Sequence, residues 1–467
     1  MKMKVFALTI SILVLGLTVF SCKKTNSDKP IKPGDKATEY VASGNTITIT
    51  DHGEGTGNKT LTADKIWVLN RFVFVNKGQT LTIEPGTIIK AKPGQGENAS
   101  ALIVARGAKI WAVGTAQNPI IFTAEADDLK GSVSKTARGL WGGLILLGNA
   151  KINTVPNKKN IEGIPTTEPR GEYGGSDNHD NSGVLKYISI RHGGTNIGAN
   201  NEINGLTFGA IGDGTTVEHI EVYANNDDGY EWFGGTVHTK WLISAYCKDD
   251  AFDWDQGYTG EGQFWLGVQD PDSGDRLGEL DGADLPEDGT PLGGGTVYNA
   301  TLIGRGVKGT HTLTFRANGG GSFYNCIFVN QHKGVDIELK ENLNASSSYK
   351  RFNEGQLKVE NNIFYDIADN TNSGIFTINA KTGVSSADKT TAENKLAAYI
   401  SGAHNTVDVN PGLTYPTSGN FSFNAVPTIN VSNNMAAYPS DFESVNYKGA
   451  IDPNGINWAK SWTLLYH

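Results

Sequence analysis

Residues 226–235 read NDDGYEWFGG and residues 248–257 read KDDAFDWDQG. Laid over one another without a gap, the two stretches begin 22 residues apart, with Asp227 on Asp249, Asp228 on Asp250, Glu231 on Asp253 and Trp232 on Trp254. Seven carboxylates gather in this way: Asp227, Asp228, Glu231, Asp249, Asp250, Asp253 and Asp255. Three kinds of chemistry suit such a group. It can hold a hard cation, for which Ca2+, with six to eight oxygen ligands in flexible geometry, is the expected ion. It can carry raised pKa values and act in acid catalysis, with Asp228 and Asp250 as candidates. Or the Asp pairs can cap turns through backbone N–H groups while the other carboxylates splay into water.

The next segment, DPDSGDRLGELDGADLPEDGTPLGGG (270–295), adds eight acids against the single Arg276. Its Asp270-x-Asp272 opening resembles an EF-hand loop, but Gly274 stands at the fifth ligand position and rules that motif out. The segment is expected to fold over the acidic stretches and supply further oxygens. Arg316 and Arg191 are candidate catalytic bases, and His179 and His192 are single histidines in Gly-rich loops. Trp241 and Trp265 are the candidate sugar-stacking rings, whereas Trp232 and Trp254 are expected inside.

The elements that position these residues are short. Runs such as TLTIEPGTIIKAKPG (80–94) and LKYISIRHGG (185–194) are β-rich and punctuated by Gly, Asn and Asp. The 22-residue offset extends backward, with Val217 on Thr239, His219 on Trp241 and Ile220 on Leu242. YNATLI, YNCIFV and ENNIFY place Asn299, Asn325 and Asn361 in equivalent settings, and amides there are expected to stack and bond from coil to coil. A unit near 22 residues with three short strands predicts one coil of a parallel β-solenoid, whereas a propeller blade needs about 40. Side chains alternate along a strand, so if Tyr230, Trp232, Phe252 and Trp254 face the core, Glu231, Asp253 and Asp255 face outward. Stacked coils lie about 4.8 Å apart, where two carboxylates repel by about 1 kcal/mol at water's dielectric and by several at an effective value near 20.

The chain begins with Lys2 and Lys4, an apolar run from Val5 to Phe20, and Val19-Phe20-Ser21-Cys22. This predicts a signal peptide over 1–21, lipidation of Cys22, a tether over 22–44, a β-solenoid over 45–440 and a capping segment over 441–467. Lys23 and Lys24 after the cysteine favour the periplasmic face of the outer membrane over the cell surface. Without Lys2 and Lys4, the 40 Lys and Arg fall to 38 against 49 Asp and Glu, a net charge near −11. That excess argues against nucleic acid as a partner. Cys247 and Cys326 are too few for a disulfide framework and are expected as buried free thiols.

TLTIEPGTIIKAKPGQGENASALIVARGAKIWAVGTAQNPIIFTAEADD, RGLWGGLILLG and INGLTFGAIGDGTTVEHIEVYANNDDG resemble right-handed parallel β-helix (pectin-lyase-like) lipoproteins of Bacteroidota, as does the closing YKGAIDPNGINWAKSWTLL. The resemblance implies an all-β, right-handed, single-stranded solenoid with inserted loops and a short helix near the C-terminus. It implies no settled activity. Two functions are therefore expected from different classes. One is a lipid-anchored binding or accessory protein that holds Ca2+ and engages a polysaccharide or a TonB-dependent transporter. The other is a polysaccharide-active enzyme, either a Ca2+-dependent uronate lyase or a glycoside hydrolase. Asn226-Asp227-Asp228 and Asp249-Asp250 resemble the first two elements of inverting polygalacturonases, but the Gly-His-Gly and Arg-x-Lys elements have no counterpart here, and stacked carboxylates lie closer than the roughly 6.5–9.5 Å an inverting pair needs. SADKTTAENKLAAYISG (386–402) has a helical pattern with Leu396, Ala397 and Ile400 on one side and Gly402 as its cap. Trp458 and Trp462 are expected to cover the last coil.

Overall fold

The computed structural model describes residues 37–198 and 201–467. The expected signal peptide, Cys22, Lys23 and Lys24 lie outside the described residues. The tether does not extend to residue 44: Glu39–Ser43 is a strand that pairs antiparallel with Thr46–Thr50. From there the coil strands pair in parallel into three sheets of a parallel β-helix. Beyond that first pair, only two short pairs in insertions, Lys159–Asn160 with Glu172–Tyr173 and Asn196–Gly198 with Asn201–Glu202, are antiparallel among the described strands. The first sheet includes Phe72–Val75, Ala101–Val104, Leu144–Leu147, Leu206–Ile211, Tyr230–Gly235, Phe252–Asp255 and Gly278–Asp281. The second runs through Lys59–Leu61, Thr80–Ile83 and Lys109–Val113 to Leu357–Glu360. The third ends at Thr406–Val407, so the coils stop well before residue 440.

The 22-residue offset is the actual register. Tyr230 pairs with Phe252, Glu231 with Asp253 and Trp232 with Trp254 on the first sheet, and Val217 with Thr239 and Ile220 with Leu242 on the second and third. Alternation then sorts the side chains. Tyr230, Trp232, Phe252 and Trp254 are at most 2% exposed, and the rings of Tyr230 and Phe252 stack at 5.5 Å. Trp265 joins this interior stack, 4.6 Å from Phe252 and 5.2 Å from Trp232. With 1% of its surface exposed, it offers no face to a sugar.

The asparagines mark a corner rather than the ladder expected of them. Tyr187, His219, Trp241, Phe264, Asn299, Asn325, Asn361 and His404 occupy equivalent positions on successive coils, each with φ between 52° and 61°. Asn adopts this left-handed conformation more readily than most residues because its short amide bonds locally. The side chains point outward, and Asn299, Asn325 and Asn361 donate to the carbonyls of Tyr447, Ala436 and Asn434 rather than to one another. The coil-to-coil amides sit one position later. Asn362, fully buried, accepts from the Cys326 N–H at 2.8 Å and donates to the Phe323 carbonyl at 2.9 Å, and Asn405 repeats the pattern below it. On the first four of these eight coils the corner carries rings instead, with Tyr187 4.2 Å from His219 and Trp241 4.5 Å from His219 and 5.6 Å from Phe264. Both faces of Trp241 are therefore occupied, which withdraws it as a sugar platform.

The helix Ser386–Gly402 forms as expected, capped by the Ser385 hydroxyl, and buries Ala392, Leu396 and Ile400 against the interior core. Ala397 instead faces solvent, and Ala403 rather than Gly402 is the C-cap. The C-terminal segment does not cover the last coil. It returns along the outside of the third sheet, where Leu413, Val431, Ile451 and Trp462 pack on Ile243, Leu266, Ile327 and Ile363. Its end is held at the Glu221 carboxylate, which accepts the Leu464 and Leu465 N–H groups at 2.8 Å. Cys247 and Cys326 are free and buried.

Asn362→Ala strands two buried backbone groups and is expected to cost about 2–4 kcal/mol. Asn361→Ala loses one exposed bond to Asn434 plus the left-handed preference, and costs less. Urea unfolding of the two variants checks the order.

Candidate functional site: an acidic pit on the first sheet

The outward column of the first sheet changes character along its length. It runs Phe74, Ile103, Ile145, Thr207, Glu231, Asp253, Glu279, Thr314, Asp336. The apolar part is roofed by the 149–182 insertion and by the 192–198 and 201–205 segments, whose Ile152, Ile161, Ile164, Tyr173 and Ile203 pack on Phe74, Ile103, Ile145, Leu147 and Phe233. Where the roof ends, the acids begin. The 282–295 loop meets the roof there: Asn153 Nδ2 donates to the Gly282 carbonyl at 2.8 Å, and Gln256 accepts from the Tyr173 hydroxyl and donates to Asp284. Glu231, Asp253 and Asp255 thus face out from the core, as alternation requires, but not into open water. Glu231 is only 7% exposed.

The 270–288 stretch is not the loop it resembles in sequence. Gly278–Asp281 is the next strand, with Glu279 stacked on Asp253. The result is four carboxylate triads that share members: Asp227, Asp228 and Asp249; Asp228, Glu231 and Asp253; Asp249, Asp250 and Asp275; Asp250, Asp253 and Glu279. Within each, oxygen atoms lie within 4.8 Å of one another. Asp255 belongs to none of them.

Counter-charge is distributed unevenly. Arg276 contacts Asp275 at 2.7 Å, Glu279 at 3.3 Å and Asp250 at 3.4 Å. Arg316 binds both oxygens of Asp281 at 2.8 Å and pairs with Glu279. The two lower triads thus have arginines. The two upper triads, which share Asp228, have none among the described residues. Their relief comes from amides and backbone: Asp228 Oδ1 accepts the Asp250 N–H at 2.9 Å, and Asn204 donates to Glu231. Asn204 is 2% exposed and stands one coil above Asp228, and its Oδ1 has no hydrogen-bond partner, like Oδ1 of Asp253. Two buried acceptors without donors, set among carboxylates, suit a cation.

Burial and the neighbouring negative charges push these acids up. Asp228, Glu231, Asp250 and Asp253 lie well above the ordinary carboxylate range, burial being the main cause in each. Asp227 rises to about 7 through burial and Asp249, Asp255 to about 6 through burial, and Asp281 to about 7 through burial despite Arg316. Asn204 was not expected from sequence, although Asn204-Gly205 lies one coil before Asp228-Gly229 and repeats its pattern. Glu162 and Glu202, whose charges raise Asp227 further, come from insertions with no such signal. The other candidates are engaged elsewhere. Arg191 is buried and donates to Ser189, His192 bonds the Ala137 carbonyl, and His179 pairs with Asp213 on the surface.

The sequence matches the family described as pectate-lyase like beta helix domain over residues 53–409. No curated protein and no solved structure matches.

A carboxyl group with a raised folded-state pKa holds its proton more tightly folded than unfolded. Without a cation, its contribution is therefore present near pH 4 and lost as pH rises through about 6–7. In chelator, Asp227→Asn, which cannot ionise, should lose less thermal stability than the native chain between pH 4.5 and 7.5. Equal losses in the two proteins would contradict the assignment.

Proposed function

The chain belongs to the pectate-lyase-like β-helix family, and on that scaffold we propose a binding protein that holds a divalent cation, Ca2+, in the upper acidic triads. The observation that carries this reading is the pair of triads around Asp228, which have no arginine among the described residues and border two unpartnered buried oxygens. The donor set is oxygen only, and its flexible mixture of carboxylates and amide suits Ca2+ better than a metal that prefers imidazole or thiolate. Asp228, Glu231 and Asp253 are the core ligands, with Asp227, Asp249 and Asn204 beside them. Asp250 leans to Arg276, and Asp255 stands apart. The protein is further proposed to be exported and lipidated at Cys22, with its rigid coils available to a polysaccharide or to an outer-membrane transporter.

The alternative of a uronate lyase needs a basic side chain that can give up its proton. Arg316 is a poor choice, because Asp281 and Glu279 hold it charged and push its pKa up. Oxygens within 4.8 Å in each triad also crowd out the water that an inverting hydrolase places between its carboxyls.

Ca2+ at a hundredfold excess over its dissociation constant should add about 2.7 kcal/mol of stability, seen as a rise in Tm at pH 7.5 that chelator reverses. Asp228→Asn should abolish that rise, whereas Asp288→Asn should not. Incubation with polygalacturonate and Ca2+ should release no unsaturated product, and release would favour the lyase. Fractionation of cells should move the protein from membrane to soluble fraction in Cys22→Ala.

A further inference from the structure

The three sheets are dressed differently on the outside. Insertions roof part of the first, and the C-terminal segment covers the third. The second sheet presents one unbroken outward column of ten residues on ten successive coils: Thr60, Thr82, Trp111, Val184, Thr216, His238, Glu261, Thr296, Ser322 and Lys358. Every one is exposed or half-exposed. Five carry hydroxyls: Thr60 and Thr82 on the two coils before Trp111, Thr216 two coils beyond it, and Thr296 and Ser322 further along. Among the described residues Trp111 is the one exposed tryptophan of nine, 42% open. Its strand neighbour Val113 is 38% open and widens the apolar area.

We propose that this face binds a neutral glycan chain lying along the coil axis, with one sugar ring stacked on Trp111. An indole offers a flat apolar face, which suits the C–H side of a pyranose, and its rigidity keeps the ordering cost low. Thr82 and Thr60 on the two coils before the ring, and Thr216 two coils beyond it, supply hydroxyls along the same axis for a chain that runs across the coils. Most charges on this face are paired, Lys186 with Glu218 at 2.8 Å, His238 with Glu261 at 3.1 Å and Lys240 with Glu443 at 3.4 Å. Lys109 and Lys358, unpaired among the described residues, lie far apart along the sheet, so an anionic chain finds only isolated complements. The apolar area is one ring and two valines, far short of the roughly 800 Å² per partner of a stable protein interface. The site is separate from the acidic pit, on a different sheet, and does not depend on a cation there.

The test is a glycan array of linear neutral and uronate oligosaccharides probed with the soluble chain. At least one neutral glycan should bind, and titration calorimetry with that oligosaccharide should show affinity reduced at least tenfold in Trp111→Ala and largely kept in Trp111→Phe. Trp111 is exposed, so both variants should keep the native Tm. Chelator and Asp228→Asn should leave binding unchanged. Failure of every neutral glycan to bind, an unaffected Trp111→Ala, or binding confined to uronates and lost with Asp228 would each overturn the proposal.

Discussion

Stacking identical register positions about 4.8 Å apart is the constraint on which the rest of this molecule depends. A parallel coil repeats its neighbour, so whatever one coil places outward, the next places directly beneath. For Phe, Trp and Ile that repetition is favourable, and the interior stack of Tyr230, Trp232, Phe252 and Trp265 results from it. For Asp and Glu it is costly, because each added rung increases repulsion that water cannot fully screen at buried positions beside the 149–182 roof. The chain meets that cost in two ways. In the lower coils Arg276 and Arg316 enter the column from the rungs themselves. Around Asp228 no arginine pairs with the carboxylates among the described residues, and amides, protons or a cation must serve.

The same repetition explains how the outside is finished. A solenoid leaves its corners and faces bare, and this one is covered in patches. Insertions bury the apolar half of the first sheet, the helix Ser386–Gly402 packs on the core, and the returning C-terminal segment binds the outward asparagines of the corner. Glu221 holds the far end of that segment. What remains open, the acidic pit and the outer face of the second sheet, is where binding is proposed.

Much of this could be read from the sequence, because periodicity is a local property. The 22-residue offset of two segments yields register, alternation and the stacking of Glu231 on Asp253 without further information. Helix Ser386–Gly402 could be read for the same reason. What could not be read is contact across large separations. The roof whose edge borders Glu231 comes from the 149–182 and 201–205 segments, and the groups that bond Asn299 and Asn325 come from residues 436–447. Asn at a left-handed corner and Asn on the inner ladder differ by one position, 361 against 362, which composition cannot separate. Trp265 lies 23 rather than 22 residues after Leu242, its register partner in the core, and so falls inside. Glu279 was hidden because an acidic, Gly-rich stretch reads as a loop when it contains a four-residue strand.

The central claim is that a cation balances the carboxylates around Asp228. Metal content per chain tests it most directly. The soluble protein is equilibrated with Ca2+ at pH 7.5, freed of unbound ion by gel filtration and measured by elemental analysis. At least one Ca2+ per native chain, with loss of that equivalent in Asp228→Asn, is the predicted result. A native chain that elutes without Ca2+, or an Asp228→Asn chain that retains as much, would contradict it.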